Sequence, residues 1–408
     1  MRDTDMYAEL LEVGFPWRVA SVVMDAKAER VTVRIELEPG EALACPQCGR
    51  PGCTIKDRRE RTWRHLNTCQ FKTIIKGPLP RTDCPECGVK TLKAPWAERY
   101  SRFTKKFEKL TIQGLLEMSM TGACRLLDIS WDEADSIMAR AVRRGLQRQD
   151  LTQLQRIGID EKAVKRGHHY VTIVYDLDTA DVIWVGTDRK EETLDSFFAG
   201  LPKQILGQID CIAMDMWAPY RASCRKWITD ADKKTVLDRF HIERHLNEAV
   251  DSVRKDEHRD LQEAGIDLLL KTKWDWLYRP ENLPPERELR FNELRQFDLK
   301  TVRAHAIKEN FRHFWRYIYA GNARRFFHSW YFWATHSRLP PVIKAAKRLN
   351  RHLDRILTYF RYRASNSMAE GINNKIGTVN KKAYGFRNVP RFINAIYFHC
   401  AGLKLYPP

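Results

Sequence analysis

The sequence predicts a multi-domain α/β protein in which a small metal-binding module and a helical segment precede a mixed-sheet domain with a long helical insertion. Three observations carry that expectation. Two C-P-x-C-G pairs stand at 45–49 and 84–88, the apolar period changes from strand-like to helical near Phe103, and strand-like and helix-like runs alternate from Arg156 onward.

Composition bounds the partners. With 408 residues and 43% apolar content the chain is long enough for two or three domains and a substantial core. A formal charge of +18 and a pI of about 9.5 suit a polyanion and argue against an acidic or neutral metabolite. Nucleic acid leads, with anionic membrane as the competitor. The start, MRDTDMYAELLEVGF, lacks the basic-then-apolar layout of a signal peptide, and no apolar run approaches spanning length. A cytoplasmic protein is therefore expected.

Residues 15–42 alternate and read as a hairpin leading into the first module. There, Cys45, Cys48, Cys84 and Cys87 form two knuckles, each with an internal Pro and a following Gly, and two such thiolate pairs fill the four sites of a tetrahedral zinc ion. Cys53 and Cys69 lie between the pairs, and either could substitute as a ligand. Cys124, Cys211, Cys224 and Cys400 read as core residues. This module spans 1–95.

From 96 to 150 the pattern is helical: EKLTIQGLLEMS, MTGACRLLDIS, then WDEADSIMARAVRRGLQR, with a brief turn over Leu127 to Ser130. That is a helix-turn-helix outline, though an ordinary three-helix packing unit reads the same way. Asp132, Glu133 and Asp135 at the start of the last helix suit its dipole but repel phosphate. Arg140, Arg143, Arg144 and Arg148, further along, are thus expected to touch DNA backbone rather than bases.

The third domain, 151–408, opens with three short strands, a helix, the strand CIAMD, a helix around Ala218 to Trp227 and the strand KKTVLD. That order is the one of a ribonuclease H-like fold, in which the first strand runs beside the fourth. A helical insertion is expected at about 256–355, where WDWLY, FRHFWRYIY and FFHSWYFW read as helix cores.

Three carboxylates stand out in this frame. Asp160 points away from the Ile157 and Ile159 side of the first strand, and Asp215 ends the fourth. Side by side, two acids repel and call for a cation, magnesium foremost. The competing account makes Asp215 a cap of the helix near Trp217. The third acid is Glu370 in SNSMAEGINNK, which could instead close a capping box with Ser367. Lys375, Lys381, Lys382 and Arg387 follow as a basic run suited to phosphate.

The chain resembles the ISL-three family of bacterial insertion-sequence transposases. The resemblance rests on the two Cys pairs, G158-I-D160-E-K, A213-M-D215-M, D238-R-F-H241, and S365-N-S-M-A-E370-G-I-N-N-K with Y384-G-F-R-N. It implies a ribonuclease H-like catalytic domain behind a zinc finger and a helix-turn-helix. It further implies an Asp-Asp-Glu site of Asp160, Asp215 and Glu370 holding magnesium or manganese, with Asp238 and His241 in support. The implied activity is metal-dependent cleavage and strand transfer at insertion-sequence ends. Implied partners are terminal inverted repeats and target DNA, met by a homodimer or larger assembly in a nucleoid-associated, membrane-free setting. A catalytically inactive DNA-binding regulator and a structure-selective nuclease are the alternatives.

Overall fold

Alternation in the front of the chain becomes a hairpin in the computed structural model, where β1 (Trp17–Asp25) pairs antiparallel with β2 (Arg30–Leu37). The structure describes residues 2–38, 43–165, 169–215, 217–237, 239–363 and 367–408, and not the side chains of 165, 169, 240, 280 and 367–370. Asp238 and the side chains of Ser367 and Glu370 therefore lie outside the described residues. Two units form: 1–149 with 382–384 and 403–408, and 150–381 with 385–402.

In the first unit β3 (Thr54–Arg64) and β4 (Lys72–Cys84) make a long antiparallel hairpin. β4 also pairs in parallel with β2, and antiparallel with the short β5 (Gly88–Thr91). Val31, Val33, Ile35 and Ile75 supply the buried face, closed by Trp96, whose ring meets Trp17 at 5.2 Å and Trp63 at 5.3 Å edge-on.

The helical segment resolves into Lys105–Glu117, Met120–Leu127 and Trp131–Gln147. Each starts on a hydroxyl cap (Thr104, Ser119, Ser130), and Ser130 with Glu133 completes a capping box. Asp128, in the left-handed region at φ 49°, ends the middle helix and turns the chain. Of the acids at the start of the third helix, Glu133 thus does local capping work.

The arginines of that helix correct the sequence expectation. Glu108 is fully buried, and Arg140 donates to its Oε1 from Nη2 at 2.6 Å and Nε at 3.0 Å, while the Ser101 hydroxyl donates at 2.7 Å. Arg144, 7% exposed, meets Glu98 at 2.5 Å and donates to the Leu405 carbonyl. Both guanidiniums are turned inward because a buried carboxylate needs a cation more than the surface does. Arg148 donates to the Tyr406 carbonyl at an exposed site, and Arg143 is also exposed.

The second unit holds a five-stranded sheet in the order β10-β9-β6-β7-β8. β6 (Arg156–Lys165), β7 (His169–Asp176) and β8 (Val182–Thr187) form an antiparallel meander, β9 (Cys211–Met214) runs parallel to β6, and β10 (Thr235–Leu237) parallel to β9. One face packs Ile157, Ile159, Val174, Ile212 and Met214 against Leu194 and Phe198 of helix Glu191–Ala199 and Tyr220 and Cys224 of helix Ala218–Trp227. On helix Val389–Cys400, the hydroxyl of Tyr397 accepts from the Val185 amide at 2.8 Å. Gly158 has no room for a side chain: a Cβ there would stand 2.1 Å from the Tyr175 ring.

After β10 the described chain is helical to Tyr362, beginning with the 25-residue helix Arg239–Glu263. Its own core includes Trp276, Phe291, Phe311, Phe314, Phe327 and Trp330, so most of the aromatic stripes are interior packing. Trp274, Tyr278, Tyr319, Phe332 and Trp333 are exceptions and stand exposed.

Glu108 predicts a stability effect. Glu108→Ala strands Arg140 and should lower unfolding stability by about 3 kcal/mol, the cost of breaking a buried pair. Urea midpoints of Glu108→Ala, Arg140→Ala and the double variant check this, and the double variant should cost clearly less than the two singles added.

Candidate active site and zinc centre

The β3–β4 register explains how cysteines so far apart in sequence meet. Thr54 lies opposite Asp83, so the chain leaving the Cys45–Cys48 knuckle runs out along β3 and returns along β4 to Cys84. The long link between the pairs is this hairpin. All four sulfurs, of Cys45, Cys48, Cys84 and Cys87, lie within 4.8 Å of one another, and the Cys48 and Cys84 sulfurs are 3.7 Å apart. A tetrahedral zinc with bonds of about 2.3 Å needs sulfurs about 3.8 Å apart, so this donor set fits the ion. Backbone amides of Cys87 and Glu86 bring the Cys84 thiol down to about 6, and those of Cys48 and Gln47 lower Cys45 in the same way. The Cys48 thiol beside it pushes Cys87 up to about 12, and Cys48 is also raised, so without an ion the four sulfurs share their protons, whereas zinc binds the thiolate form. Cys69, exposed in the left-handed turn of the hairpin, is not a ligand, and Cys53, buried nearby with its thiol donating to the Arg50 carbonyl at 3.5 Å, stays outside the set.

In the second unit the β6–β9 register places Ile159 opposite Met214. The next residues, Asp160 and Asp215, therefore leave neighbouring parallel strands at one level, about 4.8 Å apart at the backbone. Asp215 is not the helix cap. That position belongs to Trp217, which makes no side-chain cap bond. Instead Asp215 Oδ2 lies 3.5 Å from Nε2 of His241, in the first turn of helix Arg239–Glu263.

Asp160 is held from two sides. Its Oδ1 accepts from the Glu161 amide at 2.7 Å, and its Oδ2 accepts from Asn373 Nδ2 at 2.5 Å. The Asn373 carbonyl in turn accepts from Lys162 Nζ at 3.3 Å. Helix Ser367–Lys382 is thus anchored at Asp160 one turn past position 370, which lies three residues before Asn373. Lys375, Lys381 and Lys382 are exposed on that helix, and Arg387 is exposed in the turn that follows.

Sequence reading missed a second cluster beside the acids. Glu161 meets Arg189 Nη1 at 3.1 Å, and the Arg189 guanidinium lies 4.1 Å from the Tyr170 ring and 4.6 Å from Trp217. Trp217 Nε1 donates to the Arg189 carbonyl at 3.0 Å. The one available signal was Glu161 itself, next to Asp160; Arg189 is distant in sequence and carries none. Oxygen donors of Asp160 and Asp215 are the hard ligands magnesium prefers.

The thiolate set demands a metal content. Purified protein should carry about one zinc per chain, and replacing Cys45 and Cys48 together with Ser should abolish it by atomic absorption. Full zinc retention in that variant would place the ligands elsewhere.

Comparison with known proteins matches three stretches of the chain to family models. A transposase family model, that of the ISL3 DDE domain, matches residues 157–396; the zinc finger of transposases IS204, IS1001, IS1096 and IS1165 matches 41–91; and the helix-turn-helix domain of transposase family ISL3 matches 92–142. The transposase for insertion sequence element IS1001 of Bordetella parapertussis is 27% identical over 366 residues, 88% of this chain and 90% of that protein. The transposase for insertion sequence element IS1557 of Mycobacterium tuberculosis is 26% identical over 409 residues, 91% of this chain and 89% of that protein. With three domain models in order and one of them covering more than half its length, the chain belongs to the ISL3 family of insertion-sequence transposases.

Proposed function

We propose that this DNA transposase cuts and joins insertion-sequence ends at a site made of Asp160, Asp215 and Glu370, on a ribonuclease H-like domain spanning about 151–408. The observation that carries the reading is the level placement of Asp160 and Asp215 on parallel neighbours, with the helix that bears Glu370 tied to Asp160 through Asn373. The strand order, with the domain's first strand between its second and fourth, supports the fold assignment.

Asp160, Asp215 and Glu370 would hold magnesium. When bound, the ion supplies Lewis-acid polarisation of the scissile phosphate and favours deprotonation of the attacking oxygen. The protein's own contribution is positional. Asn373 fixes one oxygen of Asp160, and Lys162 fixes Asn373, so the acid faces the site in one orientation. His241, with Nε2 3.5 Å from Asp215 Oδ2, would help position the second acid. In the first step water attacks phosphorus, the bond to the 3′ oxygen breaks, and a 3′ hydroxyl is released. In the second, that hydroxyl attacks a target phosphodiester, forming one P–O bond as another breaks. No side chain becomes covalently attached. Arg143, Lys375, Lys381, Lys382 and Arg387 are the exposed cations assigned to duplex phosphates around these steps.

Asp215→Asn removes charge while preserving size. It should leave folding and end binding intact and lower 3′ nicking and joining on the order of 10³-fold or more. Asp160→Asn and Glu370→Gln should behave alike, and a double variant should be little worse than a single. An Asp215→Asn protein that nicks and joins inverted-repeat DNA at close to the original rate would overturn the assignment.

A further inference from the structure

The chain's positive charge is concentrated where neither the zinc centre nor the carboxylate site uses it. Residues 310–369 contain twelve Lys and Arg against one carboxylate, Asp354, a balance of +11 out of the chain's +18. Some of these cations are engaged: Arg312 pairs with Glu281 and Glu309, Arg324 with Asp354, and Arg355 with Asp232. Others are not. On helix Pro340–Arg351, Lys344, Lys347, Arg348 and Arg351 are exposed and have no carboxylate partner among the described residues.

Those four lie on one side of the helix, because 344, 347, 348 and 351 follow its three- and four-residue spacing. Its opposite side, Val342, Ala345, Ala346 and Leu349, is buried in the helical core. The structural role of the helix is thus met by its apolar side, and the basic side is surplus to it. Lys344, Lys347 and Arg351 also line an open cleft of about 640 Å³ whose wall includes Tyr331 and Ile343. Neighbours feel the field: burial, then the guanidiniums of Arg355, Arg221, Arg348 and Arg351, hold the His352 imidazole down at about 4.

Clustering four unpaired cations is unfavourable unless an anion meets them. From residue 344 to 351 the helix rises about 10 Å, and one strand of duplex DNA carries a phosphate per about 3.4 Å of axis. The spacing therefore suits about three consecutive phosphates.

We infer that the basic side of helix Pro340–Arg351 is a sequence-independent duplex-DNA clamp, in which Lys344, Lys347 and Arg351 contact backbone phosphates. The inference rests on the reading of this chain as an enzyme acting on DNA, and it assigns the helical insertion a role in holding that DNA. It needs none of the three acids.

The test uses the full-length protein and a fluorescein-labelled duplex of random sequence, with anisotropy titrations at several salt concentrations. Replacing Lys344, Lys347 and Arg351 together with Ala should weaken binding and flatten the plot of log affinity against log salt by about 2.7, at about 0.9 per lost contact. Each single replacement should flatten it by about 0.9, which keeps the test decisive if the triple variant folds poorly. Lys344→Arg with Lys347→Arg and Arg351→Lys should retain affinity and slope. The loss should be equal on terminal-repeat DNA, since phosphate contacts carry no sequence. Unchanged slope in the single and triple Ala variants, or a loss confined to terminal-repeat DNA, would overturn the inference. Asp215→Asn should bind the duplex normally, so failure here and failure of the carboxylate assignment give different results.

Discussion

Parallel pairing of β6 with β9 sets two acids at one level, and the second unit is arranged around that placement. Like charges carried on adjacent strands repel, so the arrangement persists only if surrounding groups offset that repulsion. Asn373 and the Glu161 amide donate to Asp160, His241 faces Asp215, and the Arg189 guanidinium is held next door by Glu161 and two rings. Each of these comes from a different element. Sheet register, helix Ser367–Lys382, the first turn of helix Arg239–Glu263 and the β8-to-helix turn therefore converge on one corner of the sheet. A cation between the acids is the simplest group that turns their repulsion into binding.

The first unit solves a similar problem by different chemistry. Four sulfurs collect at the open end of the β3–β4 hairpin, where backbone amides lower two of the thiols and a tetrahedral ion fits their spacing. Further on, Glu108 is a buried charge that organises the three helices by drawing Arg140 and Arg144 inward. Metal and buried ion pair both fix a small module whose apolar core is modest.

Local patterns were legible in the sequence because local geometry decides them. Two thiolates three residues apart bite an ion wherever they occur, and the β6, β7 and β9 strands follow alternation and apolar runs. The sequence left a capping account of Asp215 open, and the structure closes it by setting the helix N-cap two residues further on, at Trp217. Other features depend on partners distant along the chain. Arg140 and Arg144 look like phosphate contacts on an isolated helix, and only the buried Glu108, 32 residues before Arg140, reverses that reading. Alternation puts Asp160 on the face opposite Ile157 and Ile159 but says nothing of what stands there, which is Tyr175 at Gly158 and Asn373 at Asp160. The basic side of helix Pro340–Arg351 was hidden by the aromatic pattern around it, since periodicity finds the buried side and says nothing of charges left unpaired.

The central claim is that β6, β9 and helix Ser367–Lys382 meet at one metal site. Substituting iron(II) for magnesium and adding ascorbate and peroxide generates hydroxyl radicals at the bound ion, and fragment mapping by mass spectrometry then reports which backbone lies beside it. The account predicts cuts clustered near residues 160, 215 and 370, all three lost together in Asp160→Asn. Cuts near 160 and 215 with none near 370, or cuts that persist unchanged in Asp160→Asn, would contradict it.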